Sequence, residues 1–181
     1  MNPPQVVVVV LNWNGRQDTL DCLESLARVE HPSFEVLVVD NGSSDGSEEA
    51  VRAAHPQLPL LQTGANLGFA GGNNAGLRWA LERGARWVLL LNNDTTVAPD
   101  FLDRLLERAE ADEGVGVVGA AIAYEDRPER LWAFGGGRFD VATGFVRHVQ
   151  RPVDEQRLRT EGHLHYYVTG CTMLLRREML Q

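Results

Sequence analysis

Three short polar segments in this sequence each follow directly on a run of apolar residues. They are Asn12-Trp13-Asn14-Gly15, Asp40-Asn41-Gly42 and Asn92-Asn93-Asp94. Carboxylate and amide oxygens are ligands that Mg²⁺ and Mn²⁺ accept, and a carboxylate also accepts hydrogen bonds from hydroxyl groups. If the fold brings the ends of the apolar runs together, the three segments predict a single polar site.

Two of the aspartates have alternative interpretations on position alone. Asp40 suits a contact with a nucleobase or ribose, as acidic residues after a second strand do in dinucleotide folds. It suits equally well a turn in which it accepts backbone amide protons. Asp94, with Asn92 beside it, predicts either a divalent cation bridging a diphosphate or a polar loop before a helix.

A glycine-rich stretch at residues 66–74 lies before a predicted helix. Its glycines, Gly68, Gly71 and Gly72, would let the backbone approach a ligand closely, and amides at a helix start favour phosphate. The stretch is neither a Walker loop nor a G-x-G-x-x-G fingerprint. A packing turn explains it nearly as well, and both interpretations stay open.

The elements that must position these segments alternate between strand and helix patterns. Continuous apolar runs predict strands at residues 6–11, 35–39, 59–62, 87–91 and 115–122. Helices are predicted between them: one capped by Asn14 and Gln17, one capped by Asp45 and Glu48, one through Leu77 and one beginning near Pro99. This alternation implies a doubly wound, mostly parallel α/β sheet, in which ligands bind at the carboxyl ends of the strands.

After Tyr124 the pattern changes. Residues 131–149, rich in glycine, predict a β-hairpin or lid, and residues 151–162 predict a charged loop. Short strands are expected at residues 164–169 and 172–175, followed by a helix from Arg176. His163 and His165 alternate on one strand, but without a third ligand they favour solvated or packed side chains over a metal pair.

Composition narrows the class of protein. A chain of 181 residues with 44% hydrophobic residues predicts one domain with one core, and the net charge of −8 argues against nucleic-acid binding. The apolar runs are too short to span a membrane, and the start of the chain lacks signal-peptide features, so a cytoplasmic protein is expected. Cys22 and Cys171 lie in no metal-ligand spacing and favour buried thiols.

Five segments, taken together and in this order, resemble those of the family 2 glycosyltransferases, especially the bacterial rhamnosyltransferase-like members. The segments are residues 6–15, 38–46, 66–74, 90–94 and 167–176. The resemblance covers essentially the whole chain and implies the GT-A fold. It also implies inverting transfer of a sugar from a nucleotide diphosphate to a hydroxyl of a saccharide or lipid-linked acceptor, in cell-wall or polysaccharide biosynthesis. The pattern leans toward dTDP-L-rhamnose as donor, while the base (uracil, thymine or guanine) stays open.

The resemblance also implies roles for individual residues. The residues expected to contact the donor nucleotide are Leu11, Asn12, Asn14, Asp40, Asn66, Gly71, Asn73, Asn92 and Asn93. Asp94 is expected to bind Mg²⁺ or Mn²⁺, and Asn92 stands where the family's fuller motif has an aspartate. The residues expected in the sugar and acceptor pocket are Trp132, Gly136, Thr169 and Gly170. The family's catalytic base, a carboxylate, is expected beyond Gln181.

The chain is thus expected to form one GT-A domain, with a nucleotide-sugar-binding part at residues 1–124 and the start of an acceptor-binding part at residues 125–181. A membrane-bound acceptor would imply peripheral association with the inner face of the membrane. Two alternatives stay open: a non-catalytic nucleotide-sugar-binding fragment and a sugar-nucleotide pyrophosphorylase. Pyrophosphorylases normally have a basic glycine-rich loop after the first strand, and here Arg16 is the one basic residue in that loop.

Overall fold

The computed structural model describes residues 4–151 and 164–180, which form two sheets and the helices that cover the larger one. The strands are β1 (Val6–Asn12), β2 (Phe34–Asp40), β3 (Leu60–Gln62), β4 (Trp87–Asn92), β5 (Val117–Gly119), β6 (Ala121–Tyr124), β7 (Arg127–Phe134), β8 (Gly136–Asp140), β9 (Val146–His148), β10 (Leu164–Val168) and β11 (Thr172–Arg176). The α-helices are α1 (Arg16–Leu26), α2 (Ser47–Ala54), α3 (Gly68–Glu82) and α4 (Phe101–Glu110). No helix in these ranges is long and apolar enough to cross a membrane.

The larger sheet has the strand order β3-β2-β1-β4-β11-β5. Strands β1 to β4 run parallel to one another, as predicted. The run of valines in β1 is fully buried because helices cover both faces of the sheet. Val6, Val8 and Val10 pack toward α1 and α4, while Val7 and Val9 pack toward α3. The predicted doubly wound, mostly parallel fold is confirmed.

The glycine-rich stretch is helical for most of its length, because α3 begins at Gly68 rather than near Leu77. Gly72 of this stretch and Gly76, which lies two residues beyond it, face the sheet. A β-carbon at Gly72 would collide with the Leu11 side chain, and one at Gly76 would collide with Val9. The glycines therefore let α3 lie closer to the sheet than alanine would, which favours the packing interpretation over a loop for these two positions.

The predicted strand at residues 115–122 is wrong as a single element. It divides into β5 and β6, which belong to different sheets. Strand β11 lies between β4 and β5 and runs antiparallel to both. A local apolar pattern does not reveal this division, because it depends on pairing with a strand from much later in the chain.

The second sheet contains β6 to β10, with β8 at its centre between β7, β9 and β10. The hairpin predicted at residues 131–149 is therefore part of a larger antiparallel sheet. The predicted charged loop, apart from Arg151, lies outside the described residues, as does His163. The helix expected from Arg176 is wrong, because β11 includes Arg176 and only a 3-10 turn (Arg177–Met179) follows.

Candidate functional site

The three polar segments meet at the carboxyl ends of β1, β2 and β4, which are neighbours in the sheet. Asn12 is paired with Asp40 in register, and Leu11, half-buried, is paired with Asn92. We call the side chains that follow these strands the polar rim: Asn12, Asp40, Asn41, Asn92, Asn93 and Asp94. The sequence-based prediction that one edge of the sheet gathers them is confirmed.

Asn12 is the central residue of the polar rim. Its side-chain amide donates to Asp40 Oδ2 at 2.8 Å and to Ser43 Oγ at 3.0 Å. Its Oδ1 accepts from the Gly15 amide and from Thr19 Oγ1, each at 3.0 Å. With only 1% of its surface exposed, Asn12 holds the β1 and β2 ends together. The structure places its side chain inside the rim rather than at an open surface.

Asp40 is equally buried, with 1% of its surface exposed. Besides Asn12, its carboxylate accepts the Ser43 amide at 2.8 Å and Gln62 Nε2 at 3.0 Å. Burial alone would raise the pKa of Asp40, but the accepted hydrogen bonds outweigh it and hold that pKa below its ordinary value. Asp40 therefore shapes its turn, as one of the two interpretations predicts; a contact with the donor stays a prediction.

Asn41 connects the β2 end to the start of α3, and sequence reasoning missed it as a site residue. Its side-chain amide donates to Asn66 Oδ1 at 3.1 Å and to the Gly68 carbonyl at 3.2 Å. Its Oδ1 accepts the Leu67 amide at 3.0 Å. The one available clue was its place between Asp40 and Gly42 in a segment already selected as polar. Asn66 is thus held beside the rim, and its predicted contact with the donor stays a prediction.

Gly71 and Asn73 lie within α3 rather than in a ligand-binding loop. A β-carbon at Gly71 would lie 2.6 Å from Leu67 Cβ, and Asn73 is buried with its side-chain amide donating to the Phe69 carbonyl at 3.0 Å. The structure gives both residues a packing role in the first turns of α3. Their predicted contacts with a donor are not tested by this geometry.

The β4 end is joined to the same network through Asn93. Its side-chain amide donates to Thr19 Oγ1 at 3.0 Å and to Asn12 Oδ1 at 3.3 Å. Asn92 is fixed through its backbone, whose amide donates to the Cys171 carbonyl at 2.9 Å. Because its side chain makes no hydrogen bond with any described residue, the Asn92 amide group is available to a ligand.

Asp94 differs from the rest of the rim, because it is exposed and its carboxylate has no hydrogen bond or ion pair with the residues described. It lies close to two thiols: burial first, and then the Asp94 charge, raise the pKa of Cys22 to about 12 and also raise that of Cys171. Within residues 4–151 and 164–180, no three His, Cys, Asp or Glu side chains cluster as a metal site. A single available carboxylate suits a cation that takes its other ligands from water and a diphosphate.

Asp45 organises the loops beside the rim. Its carboxylate accepts the backbone amides of Arg16 and Ser47, each at 3.1 Å, and so caps both α1 and α2. The predicted cap of α1 by Asn14 and Gln17 is wrong, because Gly15 occupies the N-cap position. Asn14 instead adopts a left-handed backbone (φ 54°) and accepts the Ser44 amide at 2.8 Å.

A cavity of about 630 Å³ opens next to these loops. Its lining residues are Arg16, Ser43, Ser44, Gly46, Glu49 and Ala50. Its size is within the ordinary range for small-molecule sites. The Arg16 guanidinium has no ion-pair partner in the part of the chain that the structure describes, and the cavity lining also contains the Glu49 carboxylate, so the cavity carries one charge of each sign.

The residues expected in the acceptor pocket fall into two groups. Thr169 and Gly170 precede Cys171, whose carbonyl accepts the Asn92 amide. Thr169 is buried and donates its amide to the Gly135 carbonyl at 3.3 Å, and a β-carbon on Gly170 would lie 3.2 Å from the Phe69 ring. Gly136 pairs with Val168 in the second sheet. Trp132 also belongs to the second sheet, where its ring lies 4.1 Å from that of His148. A pocket shared by all four residues stays a prediction.

The mostly parallel sheet and the antiparallel sheet beside it have the architecture of the GT-A class, which solved glycosyltransferase structures share. A mannosyltransferase from Pyrobaculum calidifontis, solved with GDP-Man and Mn²⁺, matches with a TM-score of 0.58 and 29% identity over 67% of this chain and 36% of that one. The Staphylococcus aureus TarS 1–349 structure with UDP matches with a TM-score of 0.65 over 97% of this chain and 48% of that one. At 20% identity it shows the fold alone.

The family model for glycosyl transferase family 2 matches residues 6–181, and the chain belongs to that family. The succinoglycan biosynthesis protein ExoO of Rhizobium meliloti is 37% identical over 133 residues, which are 70% of this chain and 36% of that protein. The N-acetylglucosaminyl-diphospho-decaprenol L-rhamnosyltransferase of Mycobacterium tuberculosis is 33% identical over 116 residues, 58% of this chain and 36% of that protein. The chain thus matches about a third of the length of these relatives.

Proposed function

We propose that this protein transfers a sugar from a nucleotide diphosphate to a hydroxyl of a saccharide or lipid-linked acceptor, with inversion and with a divalent cation. The observation that carries the proposal is Asp94, an available carboxylate in a polar rim whose other side chains, except that of Asn92, are bonded internally. Similarity to an L-rhamnosyltransferase favours dTDP-L-rhamnose as donor. Similarity to a succinoglycan biosynthesis protein favours a place in polysaccharide synthesis.

Asp94 would hold Mg²⁺ or Mn²⁺ through its carboxylate, and the Asn92 side chain is the nearest available amide in the same segment. When bound, such an ion neutralises charge on the departing diphosphate. The presence of Mn²⁺ in the Pyrobaculum calidifontis mannosyltransferase supports this choice of cation. Because no described residue donates a hydrogen bond to the Asp94 carboxylate, no such bond has to break before the carboxylate binds a metal ion.

The donor nucleotide is proposed to lie along the polar rim, near the cavity beside α1 and α2. The bonds that join Asn12, Asp40 and Asn93 keep the strand ends in one arrangement before any ligand arrives. Such preorganisation lowers the ordering cost of binding. Arg16 at the cavity edge offers a positive charge to the anionic donor.

The acceptor is proposed to approach from the side of Thr169 and Gly170, which directly precede Cys171, the residue whose carbonyl accepts the Asn92 amide. The general base is proposed to lie beyond Gln181, in keeping with the greater length of the relatives. A base of this kind typically contributes about 10²- to 10⁴-fold to the rate. A lipid-linked acceptor would place the enzyme at the inner face of a membrane.

The test is a thermal-shift titration with dTDP, UDP and GDP, each with and without Mn²⁺. A ligand that binds only the folded state stabilises it by about 2.7 kcal/mol at a hundredfold excess over Kd. We expect one nucleotide to raise the melting temperature in the presence of Mn²⁺, and Asp94→Ala to abolish that rise. The matched control is Asp126→Ala, which removes an exposed carboxylate from the second sheet's β6–β7 turn.

A metal-independent shift, or one that survives Asp94→Ala, would contradict the proposed cation site. The absence of a shift with all three nucleotides would contradict donor binding by this chain. The protein could also bind a nucleotide with metal and yet transfer no sugar when donor and acceptor are both supplied. That result would favour the non-catalytic alternative.

A further inference from the structure

The hairpin formed by β8, β9 and their connecting turn (residues 136–151), here called the apolar-basic hairpin, leaves large apolar side chains in water. The exposed fractions are 38% for Phe139, 52% for Val141, 69% for Phe145 and 56% for Val146. Phe139 and Val146 are cross-strand partners, and Val141 and Phe145 flank the turn. Contiguous exposed apolar groups of this kind mark interaction sites more often than isolated ones do.

The same hairpin is basic in an acidic protein. Three arginines and one aspartate give residues 136–151 a formal charge of +2, whereas the whole chain carries −8. Arg138 and Arg147 lie directly opposite each other on β8 and β9, and neither has an ion-pair partner among the residues that the structure describes. Like charges in this position destabilise a sheet, so an external anion would relieve their repulsion.

We propose that the apolar-basic hairpin docks this protein onto an anionic membrane surface. Val141 and Phe145 at the turn would enter the boundary between headgroups and acyl chains, while Arg138, Arg147 and Arg151 contact lipid phosphates. Long arginine stems cover apolar surface and keep their charged ends in the headgroup layer. Buried apolar area and attraction to anionic lipids are the two terms that hold peripheral proteins at a membrane.

The charge distribution selects this occupant over two others. A nucleic acid would meet repulsion from the strongly acidic remainder of the chain. A second copy of this chain would supply acidic groups for the arginines but no continuous apolar layer, and sedimentation in the test below distinguishes it. A bilayer supplies both an anionic layer and, directly beneath it, an apolar layer, which is the order in which the hairpin presents its groups.

The experiment is flotation of the protein with lipid vesicles in the absence of any nucleotide. Vesicles of phosphatidylcholine with about a quarter phosphatidylglycerol are compared with vesicles of phosphatidylcholine alone. Two double variants test the two parts of the hairpin: Val141→Ser with Phe145→Ser, and Arg138→Gln with Arg147→Gln. The matched controls are Met179→Ser and Arg108→Gln, which change an exposed methionine and an exposed arginine elsewhere on the surface.

We expect the unmodified protein to float with the anionic vesicles and not with the neutral ones. The apolar variant should bind more weakly by about tenfold or more, and the arginine variant by about fivefold for each charge removed. The controls should bind like the unmodified protein. The arginine variant should melt at the same or a higher temperature, since it loses a repulsion rather than a structural contact.

Equal flotation with neutral and anionic vesicles, or unchanged binding by either double variant, would overturn the proposal. So would failure of the unmodified protein to bind anionic vesicles. Loss of a dimer in either variant, seen by sedimentation, would instead assign the hairpin to self-association. Because the assay contains no donor, a negative result here leaves the proposed sugar transfer intact.

Discussion

The β2 end and the β4 end of the same sheet edge each carry an aspartate, and the two differ in almost every physical respect. Asp40 is buried and accepts hydrogen bonds from Asn12, Ser43 and Gln62. Asp94 is exposed, and no described residue bonds to its carboxylate. The contrast shows that position at a strand end does not by itself decide what an aspartate does.

Desolvation explains the difference. A buried carboxylate costs several kcal/mol unless donors replace its water, and at Asp40 those donors come from β1, the following turn and β3. Each accepted bond fixes another element, so the same carboxylate that needs support also holds the site in shape. Asp94 is exposed and keeps its hydration, so its lone pairs stay available to a ligand.

The largest expected effect is on nucleotide affinity, which should depend on Asp94. Asp94→Asn keeps the size of the side chain and removes its charge, so Mn²⁺-dependent nucleotide affinity should fall by several kcal/mol while the free energy of unfolding stays unchanged. Isothermal titration with and without Mn²⁺ measures the first quantity, and urea denaturation measures the second. Loss of stability without loss of metal dependence would reverse the roles proposed for the two residues.

The second effect concerns stability. Asp40→Ala removes the acceptor of one hydrogen bond each from the buried Asn12 side chain, the half-buried Ser43 amide and the Gln62 side chain, so the free energy of unfolding should fall by about 3 kcal/mol. Urea denaturation measures this change, and Asp94→Ala is the matched control from the same edge. A similar loss in both variants would mean that burial and hydrogen bonding do not distinguish the two positions.

A smaller effect tests the link between the two ends. Asn93→Ala removes the donor to Thr19 and Asn12 and should cost about 1 kcal/mol of stability. The adjacent Asn92→Ala removes an amide group that no described side chain contacts, and its effect should stay within about 0.5 kcal/mol. Equal effects from these neighbours, measured by urea denaturation, would show that the network does not extend from β1 to β4.

The smallest effect is a pH dependence. Because the folded-state pKa of Asp40 is lowered, its contribution to stability is complete above the unfolded-state value of about 3.9 and is lost as the pH falls through the folded value. The difference in unfolding free energy between the unmodified protein and Asp40→Asn should therefore shrink on acidification below about pH 4. A difference that stays constant across this window would mean that the Asp40 charge adds nothing to stability.

The core of the fold was predictable because its patterns are local. Continuous β-branched runs such as Val6–Asn12 indicate strands buried on both faces, and the apolar spacing of α4 indicates a helix. The start of α3 could not be predicted, because glycine disfavours a helix by about 1 kcal/mol relative to alanine. Glycine fits there because a larger residue at Gly72 or Gly76 would collide with Leu11 or Val9. The position of β11 depends on long-range pairing, which a local pattern does not contain.

For the candidate site, the sequence identified the segments but not the bonds between them. Asn12 and Asp94 look alike as polar residues after a strand, yet one is saturated by internal hydrogen bonds and the other is available. Whether a side chain at this edge is saturated or available depends on which hydrogen-bonding groups the loops after β1, β2 and β4 place next to its polar atoms. The role of Asn41 was likewise invisible, since its partners come from a loop more than twenty residues later in the chain.

The place of β11 has a consequence for the newly synthesised chain. Strands β1 to β4 can pair as soon as they leave the ribosome, but the free edge of β4 stays unpaired until Thr172–Arg176 has been made. Until then β5 has no neighbour in the sheet, and an apolar strand edge is exposed to other nascent chains. The central sheet can therefore be completed only after the entire second sheet has been translated. Until then the unpaired edge of β4 is exposed to aggregation.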